Sequence, residues 1–321
     1  MNDRAATPFA GYPARVEVVE VGPRDGLQSL REQIPTEVKI ATINALIAAG
    51  LRRFEATSFV SPRAVPQLAD AAEVIAGIDR VPGLHVTALV PNARGAEAAA
   101  AAGVDAMVVF VSASESHNLK NLNRPRAESI AGLAAVRDIA GGAGIAVQGA
   151  VATAFGCPFE GDVPVASVLD VARAYRDLGI RHLTLGDTTG MATPPLVAAL
   201  CRALRAELPE MEIALHFHNT RGVGLANVMA GLAEGVTFYE SALGGLGGCP
   251  FAPGATGNIC TEDLVYLLHE CGIGTGVDLD RLCNVARGFA ETTGLDLPGQ
   301  VMKAGPRLAL SPLSSVATAC G

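Results

Sequence analysis

Tryptophan is absent from the sequence, and charged residues are scarce. Aromatic residues make up 4% of the 321 positions and charged residues 17%. Lysine and arginine number 24 against 32 aspartates and glutamates, so the formal net charge is −8. Nucleic-acid-binding domains need a basic face. Because this chain is acidic and has no polybasic cluster, its composition argues against nucleic acid as a partner.

Long apolar runs are also missing. No stretch reaches the ~18 apolar residues that cross a bilayer, and the first 15 residues lack the apolar core of a secretion signal. We therefore expect neither a membrane protein nor a secreted one. The seven cysteines are an odd number without zinc-finger spacing or a disulfide framework, which favours a reducing cytoplasm.

What the sequence does contain is a regular alternation of two patterns. Short β-branched apolar runs are separated, in most cases, by amphipathic stretches rich in alanine and leucine. Eight such units predict an α/β fold, a (β/α)8 TIM barrel, whose usual length is ~250 residues. The composition alone would fit a doubly wound open sheet equally well. The predicted strands are residues 16–20, 53–57, 86–90, 106–111, 146–151, 182–185, 212–217 and 237–241.

The barrel is expected to form one catalytic domain over residues 1–310, since no linker rich in proline or serine divides the chain. After the eighth strand the pattern becomes helical, which predicts a helical extension over about 261–310. Residues 311–321 are rich in serine, alanine and threonine, and we expect them to be a loosely ordered tail.

Two histidines at the end of the seventh predicted strand suggest a metal site. Side chains alternate faces along a strand, so the rings of His216 and His218 point the same way and can bind one ion. This pair alone is weak evidence, because ordinary hydrogen bonds also hold such histidines. Asp25, on a turn after the first strand, supplies an acidic partner, although an aspartate there is more often a turn or helix-cap residue.

The barrel prediction would bring these residues together. The carboxyl ends of all eight strands meet at one mouth, where the chemistry of such barrels occurs. A glycine-rich loop at 244–248 leads from the eighth strand to Cys249. The polar side chains predicted at or near the mouth are Arg24, Asp25, Glu55, Gln148, Asp187, His216 and His218. Together they favour a metal-dependent active site.

Five motifs carry a family resemblance. They are Arg-Asp-Gly-Leu-Gln at 24–28, Thr-Ser-Phe-Val-Ser-Pro at 57–62, Leu-Gly-Asp-Thr at 185–188, His-Phe-His at 216–218 and Gly-Gly-Leu-Gly-Gly-Cys-Pro at 244–250. Over residues 16 to about 300 the chain resembles the 3-hydroxy-3-methylglutaryl-CoA lyases, which belong to a superfamily of metal-dependent lyases and Claisen-condensing barrels. The first and fourth motifs are shared by the whole superfamily, whereas the last is more specific for the lyases.

The resemblance implies a role for each matching residue. Metal ligation is implied for Asp25, His216, His218 and Asn258. Arg24 would be an electrophilic catalyst and Cys249 an acid/base on a mobile loop, with Asp187 and Glu55 completing the catalytic set. Substrate binding or polar support is implied for Glu20, Gln28, Gln148 and Glu262.

The implied activity is a divalent-metal-dependent retro-Claisen cleavage of a 3-hydroxy-3-methylacyl-CoA, foremost 3-hydroxy-3-methylglutaryl-CoA, to acetyl-CoA and acetoacetate. Magnesium or manganese is the expected cofactor, with cobalt and zinc as alternatives, since oxygen and imidazole ligands suit all four. The resemblance further implies a cytoplasmic homodimer that acts on acyl-CoA in leucine degradation.

Three alternatives stay open. Departures from the family pattern at Gln148, Asn219 and Ser29-Leu30, all expected near the mouth, leave room for a related substrate such as citramalyl-CoA. A Claisen-type synthase would run the bond in the other direction, but the synthases usually carry a further C-terminal domain. A non-catalytic acyl-CoA- or metal-binding barrel is disfavoured by Arg24, Cys249 and the four ligand candidates.

Overall fold

The computed structural model describes residues 11–248 and 257–310 and contains a closed barrel of eight parallel strands. The strands are β1 (Glu17–Glu20), β2 (Arg53–Ser58), β3 (His85–Leu89), β4 (Ala106–Ser112), β5 (Ala146–Ala152), β6 (His182–Asp187), β7 (Glu212–Phe217) and β8 (Phe238–Ser241). Each strand pairs with the next, and β1 pairs with β8. The barrel prediction is confirmed, and the open sheet is excluded.

Helices follow the strands around the barrel. They are α1 (Thr36–Ala48), α2 (Ala71–Ala76), α3 (Ala93–Ala102), α4 (Glu115–Leu122), α5 (Arg126–Gly142), α6 (Val165–Asp177), α7 (Pro194–Glu207), α8 (Gly224–Ala233), α9 (Thr261–Glu270), α10 (Leu279–Thr293) and α11 (Val301–Ala304). None of the helices in the described part of the chain is long and apolar enough to span a bilayer.

The chain after β8 is helical, as expected. The first helix there, α9, begins at Thr261 and packs against β1 as well as against α10 and α11. The hydroxyl of Thr261 donates to Glu20 Oε2 at the end of β1 (2.7 Å). The next helix, α10, packs against α1, and the bounds of the extension stay a prediction. The predicted tail at 311–321 lies outside the described residues, and the boundary of the domain at residue 310 stays a prediction.

The main apolar core lies between the strands and the helices. Outward-facing strand residues such as Phe54, Leu183 and Leu215 are fully buried against helix residues such as Ile43 and Leu204. The barrel interior is more polar. A cavity of about 20 Å³ inside it is lined by side chains from seven strands, including those of Arg53, His85 and His182, each the first residue of its strand. This cavity, large enough for about one water molecule, therefore lies below the mouth and extends up to Glu55 and Glu240.

Candidate metal centre and active site

The turn after β1 carries Arg24 and Asp25 on a one-turn helix, Gly22–Gly26. A side chain at its first position, Gly22, would displace Glu20, because a Cβ there would lie 2.5 Å from Oε1 of Glu20. The same Glu20 oxygen accepts the backbone N–H of Gly22 (2.8 Å). This tight turn brings Arg24 and Asp25 back over the carboxyl end of the barrel.

Arg24 lies between two carboxylates. Its Nη1 donates to Asp25 Oδ1 (2.7 Å), its Nη2 donates to Glu55 Oε2, and its side chain is 13% exposed. Burial alone would lower the pKa of Arg24, but the charges of Glu55 and Asp25 outweigh burial and raise it. Its Nε is buried and has no hydrogen-bond partner among the described residues. The guanidinium is therefore a permanent cation with one donor left over.

Three of the predicted metal ligands form one cluster. The ligand atoms of Asp25, His216 and His218 all lie within 4.8 Å of one another, and the three residues are buried. His216 lies on β7 and His218 follows directly after its last residue, and the two ring centroids are 5.1 Å apart, as alternate positions along extended chain predict. Nε2 of His218 is 3.7 Å from Asp25 Oδ2, a spacing that suits two ligands of one cation.

Asp25 is held in its ionised form. Burial would raise the pKa of its carboxyl, but the charge of Arg24 and the neighbouring imidazole of His218 lower it far below the usual range. Its oxygens also accept the side-chain amides of Gln28 (2.8 Å) and Asn258 (2.8 Å). Predicted support residue Gln28 thus contacts a predicted ligand, and a carboxylate surrounded by donors is available to a cation.

Asn258, the fourth predicted ligand, contacts the same cluster. Its Nδ2 donates to Asp25 Oδ2 and to the carbonyl of Leu246 (3.0 Å), which fixes the orientation of the amide. Its buried Oδ1 has no hydrogen-bond partner within the ranges described, and neither has Nδ1 of His218. An unpaired buried polar atom costs about 1–3 kcal/mol. The unpaired Oδ1 of Asn258 beside Asp25 fits a centre whose cation would take an amide oxygen as a ligand.

Glu240 is a site residue that the sequence reasoning missed. It lies on β8 directly opposite His216 on β7, and its Oε2 is 2.9 Å from Nδ1 of His216. Its Oε1 accepts the hydroxyl of Thr184 on β6 (2.7 Å). The residues predicted at the mouth include none from the eighth strand. The acidic side chain near the end of the eighth strand was the signal that could have found it.

Glu20 and Glu262 hold the start of the glycine-rich loop. Oε1 of Glu20 accepts the N–H of Leu243 (2.8 Å), and Glu262 accepts the N–H of Gly244 (3.0 Å) and the thiol of Cys260. Burial raises the pKa of Glu20 to about 7 and that of Glu262 to about 8. The two carboxyl groups fix backbone at the base of the loop, a position that agrees with the predicted support role.

Asp187 ends β6 and faces the turn that follows it. Its Oδ1 accepts the N–H groups of Met191 (2.7 Å) and Ala192 (2.9 Å). Its buried Oδ2 has no partner in the part of the chain that is described. Burial raises the pKa of Asp187, so one oxygen is anchored and the other is a potential acceptor.

Gln148 lies below the metal cluster, and its implied role in substrate binding or support stays a prediction. It is the third residue of β5 and lines the same cavity as Glu55 and Glu240, and its Nε2 is 3.4 Å from Nε2 of His85. The side chains of a barrel interior stack in layers, and the position of Gln148 in its strand decides its layer. Among the other two departures, Ser29 lies near Gly248 of the loop, and Asn219 binds the N–H of Gly224 (3.1 Å).

Cys249, the predicted acid/base, lies outside the described residues, but the loop that leads to it is in part described. Gly247 has a φ of +124°, and a Cβ at this position would lie 2.7 Å from Nδ2 of Asn258. A larger residue would push against the Asn258 amide. The glycine-rich approach to Cys249 therefore packs directly on a predicted metal ligand.

The barrel and its mouth define a class of protein, namely (β/α)8 barrels with a buried Asp-His-His centre beside an arginine. The HMGL-like family model matches residues 15–288, and the chain belongs to this family. The predicted family, with its class of carbon–carbon lyase, is confirmed.

Curated relatives and solved structures match this chain over nearly its whole length. It is 46% identical over 289 residues to the hydroxymethylglutaryl-CoA lyase of Bacillus subtilis, covering 90% of this chain and 97% of that protein. It is 43% identical over 292 residues to the human mitochondrial hydroxymethylglutaryl-CoA lyase, with 91% and 90% covered. It superimposes with a TM-score of 0.89 on an HMG-CoA lyase from Acinetobacter baumannii in complex with coenzyme A and 3-methylmalate, at 44% identity, covering 98% of this chain and all of that one.

Proposed function

We propose that this protein is a divalent-metal-dependent lyase that cleaves 3-hydroxy-3-methylglutaryl-CoA to acetyl-CoA and acetoacetate. The observation that carries the proposal is the buried cluster of Asp25, His216 and His218 beside the guanidinium of Arg24. Membership in the HMGL-like family and the names of the relatives support it.

The reaction develops negative charge on two oxygens, that of the 3-hydroxyl and that of the thioester enolate, and both need stabilisation. The 3-hydroxyl loses its proton, the bond between C2 and C3 breaks, C3 becomes the ketone of acetoacetate, and the bond electrons form the enolate of acetyl-CoA, which is then protonated at carbon. A divalent cation held by Asp25, His216, His218 and Asn258 would lower the pKa of the 3-hydroxyl and orient it.

The contacts of Arg24, Glu55 and Asp187 support a part for each of them in this scheme. Arg24 has an unpaired Nε–H and would stabilise the thioester enolate, a donor role whose loss costs ~10²- to 10³-fold in rate. Glu55 holds the guanidinium in place through Nη2. The free Oδ2 of Asp187, with its raised pKa, suits an acceptor for the hydroxyl proton. Cys249 would protonate the enolate carbon.

Incubation of purified protein with 3-hydroxy-3-methylglutaryl-CoA and Mg²⁺ or Mn²⁺ tests the proposal. We expect acetyl-CoA and acetoacetate in equal amounts, and no product after removal of the metal with a chelator. A wild-type protein that is equally active with and without chelator would refute the metal role, and a protein that releases no acetyl-CoA from any acyl-CoA substrate would refute the lyase.

A second substrate class is favoured by one observation. The A. baumannii lyase was solved with coenzyme A and 3-methylmalate, a dicarboxylate shorter than hydroxymethylglutarate. The alcohol of 3-methylmalate is secondary, whereas citramalyl-CoA combines an acid of this shorter length with the tertiary alcohol of hydroxymethylglutaryl-CoA, and its cleavage would give acetyl-CoA and pyruvate. The ratio of kcat/KM for the two thioesters decides between them, and a ratio above 10 in favour of citramalyl-CoA would replace the first substrate.

We further propose magnesium or manganese as the physiological metal, with cobalt and zinc as alternatives. A homodimer, a cytoplasmic location and a role in leucine degradation remain predictions. Size-exclusion chromatography with light scattering measures the oligomeric state, and a mass of 32.8 kDa would contradict the dimer.

A further inference from the structure

Three neighbouring strands form a hydrogen-bonded chain that ends at a predicted metal ligand. Thr184 on β6 donates to Oε1 of Glu240 on β8 (2.7 Å), and Oε2 of Glu240 is 2.9 Å from Nδ1 of His216 on β7. His216 and Glu240 are direct neighbours in the β7–β8 register. The contact is therefore built into the sheet and does not depend on the placement of a loop.

This contact decides which nitrogen of His216 faces the cation. Both oxygens of Glu240 are used, since Oε1 accepts the hydroxyl of Thr184 and Oε2 lies against Nδ1 of His216. A carboxylate only accepts hydrogen bonds, so Nδ1 of His216 carries the proton and donates. Nε2 then holds the lone pair that a metal requires.

We propose that Glu240 is a positioning residue that fixes the tautomer and ring orientation of His216 and so determines the affinity of the metal centre. The inference rests on the proposed function, because it requires the metal centre. Thr184 holds the second oxygen of Glu240 and so limits rotation of the carboxylate.

The same chain contains a matched control at the opposite end of the barrel. His182 and Glu212 are also direct neighbours, in the β6–β7 register, and Nδ1 of His182 is 2.9 Å from Oε2 of Glu212. This pair has the same geometry, but it lies at the first residues of its strands, away from the mouth. Substitution of Glu212 removes a histidine–carboxylate contact without touching the metal centre.

The test compares Glu240→Gln with Glu212→Gln in the full-length protein. Glutamine keeps the size of the side chain and can accept from Thr184, but its amide can also donate to Nδ1 and so permits the wrong tautomer. The Kd for Mn²⁺, measured without substrate by electron paramagnetic resonance of the free ion, is expected to rise ~10- to 100-fold in Glu240→Gln and to stay within twofold of wild type in Glu212→Gln.

A second readout separates positioning from general damage to the fold. Glu240→Gln should regain most of its turnover at saturating Mn²⁺, because the centre then fills in spite of its weaker affinity. Thr184→Val, which removes only the hydroxyl, should raise the Mn²⁺ Kd less than Glu240→Gln does, and Thr184→Ser should restore it. If Glu240→Gln does not fold, Thr184→Val and Thr184→Ser carry the same test.

Two results overturn the inference in distinguishable ways. If wild type binds Mn²⁺ and Glu240→Gln binds it with a Kd within twofold of wild type, the positioning role of Glu240 falls while the metal centre stands. If Glu240→Gln does not fold, a Thr184→Val Kd equal to that of wild type has the same meaning. If wild type itself binds no Mn²⁺, Mg²⁺, Co²⁺ or Zn²⁺, the metal centre falls and this inference falls with it.

Discussion

Replacement of Asp25 by asparagine should abolish metal binding while the barrel stays folded. Oδ1 of Asp25 accepts from Arg24 and Gln28, and Oδ2 accepts from Asn258. An asparagine amide must turn its NH₂ toward one of these groups of donors, so at least one hydrogen bond is lost together with the negative charge. Charge-assisted hydrogen bonds contribute ~1.5–3 kcal/mol each, and we expect the metal-free variant to lose about that much stability.

The effect on metal binding is larger than the effect on the fold. At a metal concentration 100 times Kd, binding stabilises the wild type by ~2.7 kcal/mol, and 1 kcal/mol shifts the Tm of a domain of 150–250 residues by roughly 2–4 °C. For this longer chain the lower figure applies, which gives a rise of about 5 °C with Mn²⁺. The variant should show almost no rise, because its centre has lost its carboxylate and the orientation of Asn258.

Thermal unfolding of chelator-treated protein, with and without added Mn²⁺, measures both quantities at once. Asp138→Asn is the matched control, since Asp138 is an exposed aspartate on α5 that pairs with Arg137 far from the mouth. The control should keep the full Mn²⁺-dependent rise in Tm. An Asp25→Asn protein that shows the same rise as wild type would refute Asp25 as a ligand, and one that fails to fold would refute the separation of site from core.

Three further predictions concern the residues around the centre. Arg24→Lys should lower kcat by ~10²-fold or more while Mn²⁺ binding is retained. One ammonium group cannot bind both Asp25 and Glu55 and still donate a hydrogen bond to the substrate. An unchanged kcat would contradict this prediction. Cys249→Ser should bind metal and substrate normally and lose ~10²- to 10⁴-fold in turnover. In the wild type, Cys249 should be the thiol most readily alkylated, and acyl-CoA should protect it. Peptide mapping that finds other thiols labelled first, together with a fully active variant, would remove Cys249 from the mechanism. Burial raises the pKa of Glu262 from 4.5 to about 8. Between these two values the folded state keeps a proton that the unfolded state has released, so the stability of the protein should fall as the pH rises. In Glu262→Gln the Tm should depend less steeply on pH in this window, and an unchanged slope would contradict the prediction.

The architecture could be predicted because it depends on local patterns. Each observed strand begins and ends within two residues of its predicted position, since β-branched runs and the turns after them are local properties of the sequence. The cluster of Asp25 and the two histidines followed from one geometric rule, that the carboxyl ends of barrel strands share a mouth. The packing of α9 could not be predicted from local patterns, because whether a helix closes the barrel or extends it depends on which elements it packs against.

The interior of the barrel is where the sequence was insufficient. Gln148 and Glu240 both lie on strands, both face inward and both line the cavity below the mouth, but of the two Glu240 alone reaches His216. The difference comes from the stagger between neighbouring strands, since Val108 is opposite Gln148 and His216 is opposite Glu240. Stagger is set by hydrogen bonds between strands, so no single strand contains it. For that reason a residue that orients a metal ligand is harder to find from sequence than the ligand itself. Two ligands on one strand can be recognised by their spacing along the sequence. A positioning residue on the neighbouring strand can be recognised only when the register between the two strands is known.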